Sequence, residues 1–226
     1  RDLGGAHDDD VDMTSQVMHY WATAPKSWLT AEHRNVLASI EAPTRSGDAL
    51  RWGRPDPRAA VFVGVVPGWA MQAGSEACAV FVNVSGEMLC MIETVSGGVP
   101  AFVASVVGEA ERFANLRGGR WAEIDGHPTI ETIRPLLKNR VRMGIYEKTL
   151  GQRGAGYRGE KSQVSALWGG FLALMAEGRV KIRDDVTLAT LETVVEADGI
   201  PSMADGKPIR GRALALLLAL QAMRED

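Results

Sequence analysis

The fold is decided by residues 60–94. The run Ala60-Val-Phe-Val-Gly-Val-Val66 is closed by Pro67-Gly68. Two further apolar runs, Ala77-Cys-Ala-Val-Phe-Val-Asn-Val84 and Glu87-Met-Leu-Cys-Met-Ile-Glu-Thr94, flank Ser85-Gly86. Short apolar runs bounded by Gly, Pro and Ser read as strands, and two of them around a two-residue Ser-Gly turn read as an antiparallel hairpin. Such a turn sets Cys78 opposite Glu93 and Cys90 opposite Phe81. The two thiols are then not partners, and both are read as buried, inert strand residues.

Downstream, the pattern predicts a helix over 100–115, with proline tolerated in its first turn. A strand over 121–124, a helix over 129–137 and a strand over 141–146 follow, then a glycine-rich loop over 151–159. A helix over 162–176, a very short strand over 180–182 and helices over 186–197 and 212–223 complete the order. A hairpin extended by parallel strands through helical crossovers is an α/β fold, a mixed sheet with helices on both faces. Upstream, residues 42–59 contain three prolines and little periodicity, and read as a linker. A helix over about 28–40 is expected before it, with Thr30 as N-cap. Another is expected to begin near Asp8 or Asp9, where acids suit the positive end of the helix dipole. The expected organisation is a helical segment at 1–41, a linker at 42–59 and a domain at 60–226.

The chain has 226 residues and a net charge of −3, from 25 Lys+Arg and 28 Asp+Glu. As a total this argues against a histone-like binder. Divided along the chain it becomes −2 over 1–54, −5 over 55–111, +8 over 112–183 and −4 over 184–226. The basic segment reads either as a phosphate-tracking surface or as solvated charge on helices. Its candidate DNA contacts are Arg142, Lys148, Arg153, Arg158 and Lys161, several of them among glycines that let a loop follow a duplex backbone. The longest apolar run, Ala213 to Leu220, falls far short of the ~20 residues that span a bilayer. With two cysteines, no visible signal peptide and Arg1 in place of an initiating Met, the sequence reads as a piece of a cytoplasmic protein. The four histidines have no metal-ligand spacing, residues 65–69 lack the lysine of a phosphate-binding loop, and no nucleophile motif is present.

Three strings in this order resemble a known family. Val63-Gly-Val-Val-Pro-Gly68 closes the first strand of the domain, Ala122-Glu-Ile-Asp-Gly126 closes the fourth, and Asp205-Gly-Lys-Pro-Ile-Arg210 leads into the last helix. Together they resemble the nuclease domain of phage large terminase subunits, which package and cut viral DNA on an RNase H-like fold. The resemblance covers most of 60–223. It implies catalytic acids at the end of the first strand, the end of the fourth strand and the start of the last helix, holding Mg or Mn for phosphodiester hydrolysis.

This sequence departs from that pattern. Val66 stands at the first-strand acid position, and Lys207, Pro208 and Ile209 stand at the last-helix positions, with Arg210 next. Glu123 keeps a family position, with Asp125 beside it; both are candidate catalytic residues or ordinary polar residues leading into a turn. The string Gly5-Ala-His-Asp-Asp-Asp-Val-Asp12 resembles an intact last-helix motif of the same family, making Asp8, Asp9 and Asp12 candidate metal ligands. The resemblance therefore implies a degenerate nuclease domain in viral DNA packaging, inside the infected bacterial host. It would bind double-stranded DNA or dock to portal or terminase partners, with homo-oligomers allowed and no membrane involved. The alternative is an active Mg- or Mn-dependent endonuclease that cuts double-stranded DNA with Glu123, Asp125 and the N-terminal acids.

Overall fold

The computed structural model describes residues 27–53, 56–67, 77–93, 98–122, 157 and 160–226. The elements in chain order are α1 (Ala31–Leu37), β1 (Thr44–Ser46), β2 (Ala49–Arg51), β3 (Val61–Val66), β4 (Cys78–Asn83) and β5 (Met88–Glu93). Then come α2 (Gly98–Ala110), β6 (Leu116–Trp121), α3 (Lys161–Ala176), α4 (Asp185–Glu192), β7 (Val194–Ala197), β8 (Ile200–Met203) and α5 (Gly211–Arg224). Six strands form one sheet in the order β1-β2-β5-β4-β3-β6, and β7 and β8 form a separate pair. β3, β4 and β5 are antiparallel neighbours, whereas β6 runs parallel to β3. This is the mixed α/β sheet that the sequence predicts.

Alternate strand residues divide the core into two layers, as the two-residue period requires. Val61, Val63, Val65, Ala79, Phe81 and Trp121 pack with α2, through Phe102, Val103 and Val106. Phe62, Val66, Cys78, Val80, Val82 and Met91 pack with α3, α4 and α5 on the other face. α5 is buried almost all round, from Ala213 to Met223, which explains its unbroken apolar run. It crosses the sheet at Gly64, where a Cβ would lie 1.9 Å from the Ala215 carbonyl oxygen and 2.5 Å from the Ala219 nitrogen. Only glycine permits that approach.

The hairpin differs in detail from the sequence reading. Gly86 has φ +74° and the loop is one residue longer than a Ser85-Gly86 turn, since Asn83 N–H donates to the Glu87 carbonyl at 3.0 Å. An irregularity between Phe81 and Val82 then leaves Leu89 as an extra residue, so Cys78 faces Glu93 and Phe81 faces Cys90 after all. The bulge puts Leu89 and Cys90 on the same layer and returns Met91 and Glu93 to the α5 side. Neither cysteine is in a disulfide and both are buried, and burial holds the Cys90 thiol far above its ordinary pKa.

Residues 42–59 do not run as a linker throughout. β1 and β2 form a hairpin within them, β2 pairs with β5, and Trp52 is fully buried with its indole N–H on the Glu41 carbonyl at 2.9 Å. α1 is shorter than its predicted range, with Thr30 as N-cap. The Thr30 hydroxyl accepts from the His33 N–H, and His33 Nδ1 accepts from the Thr30 N–H. Leu37 and Trp52 belong to the same apolar cluster as α5.

α2 ends at Ala110 and β6 begins at Leu116, five residues before the predicted strand, because parallel pairing to β3 supplies hydrogen bonds that Gly118 and Gly119 alone do not advertise. The helix predicted over 186–197 stops at Glu192. Its last residues turn into β7, joined to β8 through Asp198 (φ 52°) and Gly199 (φ 75°), the left-handed pair that a tight hairpin needs. The predicted helix near Asp8, the helix over 129–137, the strand over 141–146 and nearly all of the loop over 151–159 lie outside the described residues.

Candidate functional site

In this topology the start of α5 meets the end of β5 through Arg212 and Glu93, and cross-strand pairing sets a row of residues from there to the C-terminal ends of β3 and β6. Glu93 pairs with Cys78, and Cys78 with Val66. Ala122 N–H donates to the Val65 carbonyl at 2.8 Å, Tyr157 N–H donates to the Trp121 carbonyl at 2.9 Å, and Ala122 bridges to Tyr157. Val66, Cys78, Ala122 and Tyr157 are all buried on the α5 layer, and Ile209, just before α5, joins the same cluster. Thus Val66 and Ile209, two positions where the resemblance implies acids, hold buried hydrocarbon.

Charge returns at the Glu93 end of the row. Arg212, in the first turn of α5, places Nη1 2.9 Å from Asp184 Oδ2, and its Nη2 on Glu93 Oε1. Asp184 is the N-cap of α4, and the same Oδ2 accepts from the Thr187 N–H at 2.7 Å and the Thr187 hydroxyl at 2.6 Å. Burial pulls the Arg212 pKa down, but Glu93 and Asp184 outweigh it and the net shift is upward. These three residues were missed in the sequence. One signal was available: an arginine in a helix's first turn opposes the dipole and calls for a nearby anion.

The turn before α5 is closed by Asp205. Its carboxylate accepts from the Lys207 N–H at 3.1 Å and from Arg210 at 2.9 Å, and lies 3.5 Å from the Lys207 ammonium. The Lys207 backbone N–H, then the Arg210 guanidinium, hold Asp205 below the usual carboxylate range. Pro208 is exposed between them.

The candidate acids Asp8, Asp9, Asp12, Glu123 and Asp125 lie outside the described residues, as do Arg142, Lys148, Arg153 and Arg158. Lys161 is exposed at the first position of α3. Other cations of the basic segment hold the fold together. Arg183 bridges Glu41 at 3.2 Å and Glu87 at 2.9 Å, Arg179 meets Glu177 at 3.3 Å, and Arg120 pairs with Glu225. Lys181 donates to the Val36 carbonyl at 2.9 Å. Arg117 on β6 is exposed, like Lys161. Trp121 and Trp168 are core residues, not stacking platforms.

A divalent cation of the kind the fold family implies needs converging oxygen donors. The described part of the row does not fit one. Val66, Ala122 and Ile209 have no donor atom, Glu93 is engaged by Arg212, and no three His, Cys, Asp or Glu side chains converge among the described residues.

No family model matches the sequence, and no curated protein sequence matches it. Solved structures do match the fold. The large terminase nuclease from thermophilic phage G20c with bound magnesium aligns with a TM-score of 0.63 at 15% identity, covering 84% of this chain and 94% of that one. The same nuclease with bound cobalt gives 0.62 at 15% identity, covering 84% of this chain and 94% of that one. The large terminase nuclease domain of Thermus phage P74-26 gives 0.61 at 16% identity, covering 83% and 91%. This chain therefore has the RNase H-like fold of phage large terminase nuclease domains.

Proposed function

We propose that this chain is a terminase-nuclease-like domain of viral DNA packaging that holds double-stranded DNA without cutting it. The observation that supports the loss of cutting is the row itself, with Val66 and Ile209 buried as hydrocarbon at positions where the resemblance implies acids. Hydrocarbon side chains neither ligate a cation nor orient a water.

Support for DNA as the ligand is the +8 segment over 112–183, in which Arg142, Lys148, Arg153, Arg158 and Lys161 are the proposed phosphate contacts. Arg117 and Lys161 are exposed, whereas Arg120 and Arg183 are engaged in ion pairs, so the free charge of the segment is concentrated in fewer residues than its total suggests. Binding of a fluorescent duplex in EDTA, followed against salt, tests this half. The affinity should fall with salt, with a slope of about −0.9 per phosphate contacted, and Lys161→Ala or Arg153→Ala should reduce that slope by about one. A flat salt dependence would remove DNA from the proposal and leave docking to portal or sister terminase subunits.

One observation favours a second reading: the structures sharing the fold are nucleases, and one holds magnesium. In that reading Glu123 and Asp125, with Asp8, Asp9 or Asp12, form a metal-dependent endonuclease centre. Cleavage that Glu123→Ala abolishes would favour it.

A further inference from the structure

The described arginines divide by their partners. Arg34, Arg51, Arg120, Arg183, Arg210 and Arg212 each meet a carboxylate. Arg58 and Arg117 are exposed and meet none among the described residues. Arg45, Lys161 and Arg224 also lack one, but each stands on a different element. Arg58 and Arg117 are held at one junction by Asn115. The Asn115 side-chain amide donates to the Arg58 carbonyl at 3.0 Å, and its backbone carbonyl accepts from the Val61 N–H at 3.0 Å. The chain entering β3 is thereby tied to the turn entering β6, where Val61 pairs with Leu116. The Arg58 turn is fixed as well, since its N–H donates to Asp56 Oδ1 at 2.9 Å and the Ala59 N–H donates to the Asp56 carbonyl at 3.1 Å.

Arg112, three residues before Asn115, adds charge to the same corner. Its side chain is 59% exposed and lies 4.0 Å from Glu109, whose two oxygens are already taken by Arg51. The other carboxylates of the corner, Asp56 and Glu111, form no ion pair with Arg58 or Arg117. Like charges held on neighbouring segments repel, and an anion received between them relieves that repulsion. The planar guanidinium fork matches phosphate oxygens in particular. This corner and the row occupy opposite ends of β3, with Val61 and Val66 about 17 Å apart by ordinary strand rise.

We propose that Arg58 and Arg117, with Arg112 beside them, form a phosphate-binding surface that takes the DNA backbone at the end of the sheet opposite the row. This surface rests on the DNA-holding reading above and adds Arg58, which lies outside the +8 segment, to its contacts. A backbone held there is kept away from the positions where the resemblance implies cutting.

The test is the affinity of the full chain for a fluorescent duplex in EDTA, followed against salt. Wild type is compared with Lys161→Ala, with Arg58→Ala plus Arg117→Ala, and with Arg58→Lys plus Arg117→Lys. Both arginines are exposed, so the double variants should unfold thermally as wild type does. The alanine double variant should lower the slope of log K against log salt by about two, and the lysine double variant should recover it. An unchanged slope in the alanine variant, or a fall that lysine does not recover, overturns this surface. Where Lys161→Ala still lowers the slope in that case, the DNA-holding reading stands without it. A flat slope in wild type overturns both.

Discussion

The two halves of the row at the sheet's end differ in a way that bears on function. From Val66 through Ala122 to Tyr157 the row is buried, and Ile209, just before α5, is buried in the same apolar cluster. At its other end Glu93 pairs with Arg212, which also holds Asp184. The carboxylates that remain at this end of the described structure are those with an internal cation. Where none is supplied, hydrocarbon stands. Packing and internal ion pairing thus account for the described part of the site without calling on a bound ion.

The strongest way to break the contrast is to put an acid back into the apolar half. Val66→Asp buries a carboxylate in a site 3% exposed and should cost about 3–5 kcal/mol by urea unfolding. Little loss, or a gain of Mn²⁺ binding, would mean that the pocket around Val66 is still polar. Next in size is Gly64→Ala, which disturbs both halves together. With the Ala215 carbonyl 1.9 Å from the new Cβ, α5 has to lift from β3, at about 3 kcal/mol or more.

Arg212→Ala tests the charged half alone. It strands Asp184 and Glu93, but Glu93 is 36% exposed and water screens it, so about 2 kcal/mol is expected. The smallest effect concerns Glu87, the corresponding ion-paired acid near the opposite end of β5. The Arg183 hydrogen bond, with help from Asn83, holds its pKa below the usual glutamate range against the pull of burial. A carboxyl whose folded pKa is lowered contributes stability above its unfolded pKa and loses it as pH falls through the folded one. Glu87→Gln should therefore cost under ~1 kcal/mol at pH 7, and the difference from wild type should vanish in acid. A difference that grows on acidification contradicts the sign.

What could be read in the sequence follows the range of the forces involved. β3, β4 and β5, the helices α3 and α5 and the Thr30 cap carry local signals: apolar runs, a capping residue, terminating glycines. β1 and β2 are three residues each, β1 is wholly exposed, and their place in the sheet comes from pairing with β5. β6 contains two glycines, which carry no local strand signal, and its strand geometry comes from β3. The β7–β8 hairpin was legible in Asp198-Gly199 but was masked by the helical period running into it from α4.

At the site, Val66 and Ile209 stood out through the motifs they interrupt. The Glu93–Arg212–Asp184 centre did not, because no local pattern links three residues so distant in sequence.

Supercoiled plasmid tests most directly whether this domain holds DNA without cutting it. With the full chain in molar excess and Mg²⁺ or Mn²⁺ present, the plasmid should be retarded on a gel yet recovered supercoiled once the protein is removed. Nicked or linear product that disappears with Glu123→Ala would contradict the claim and establish a metal-dependent nuclease.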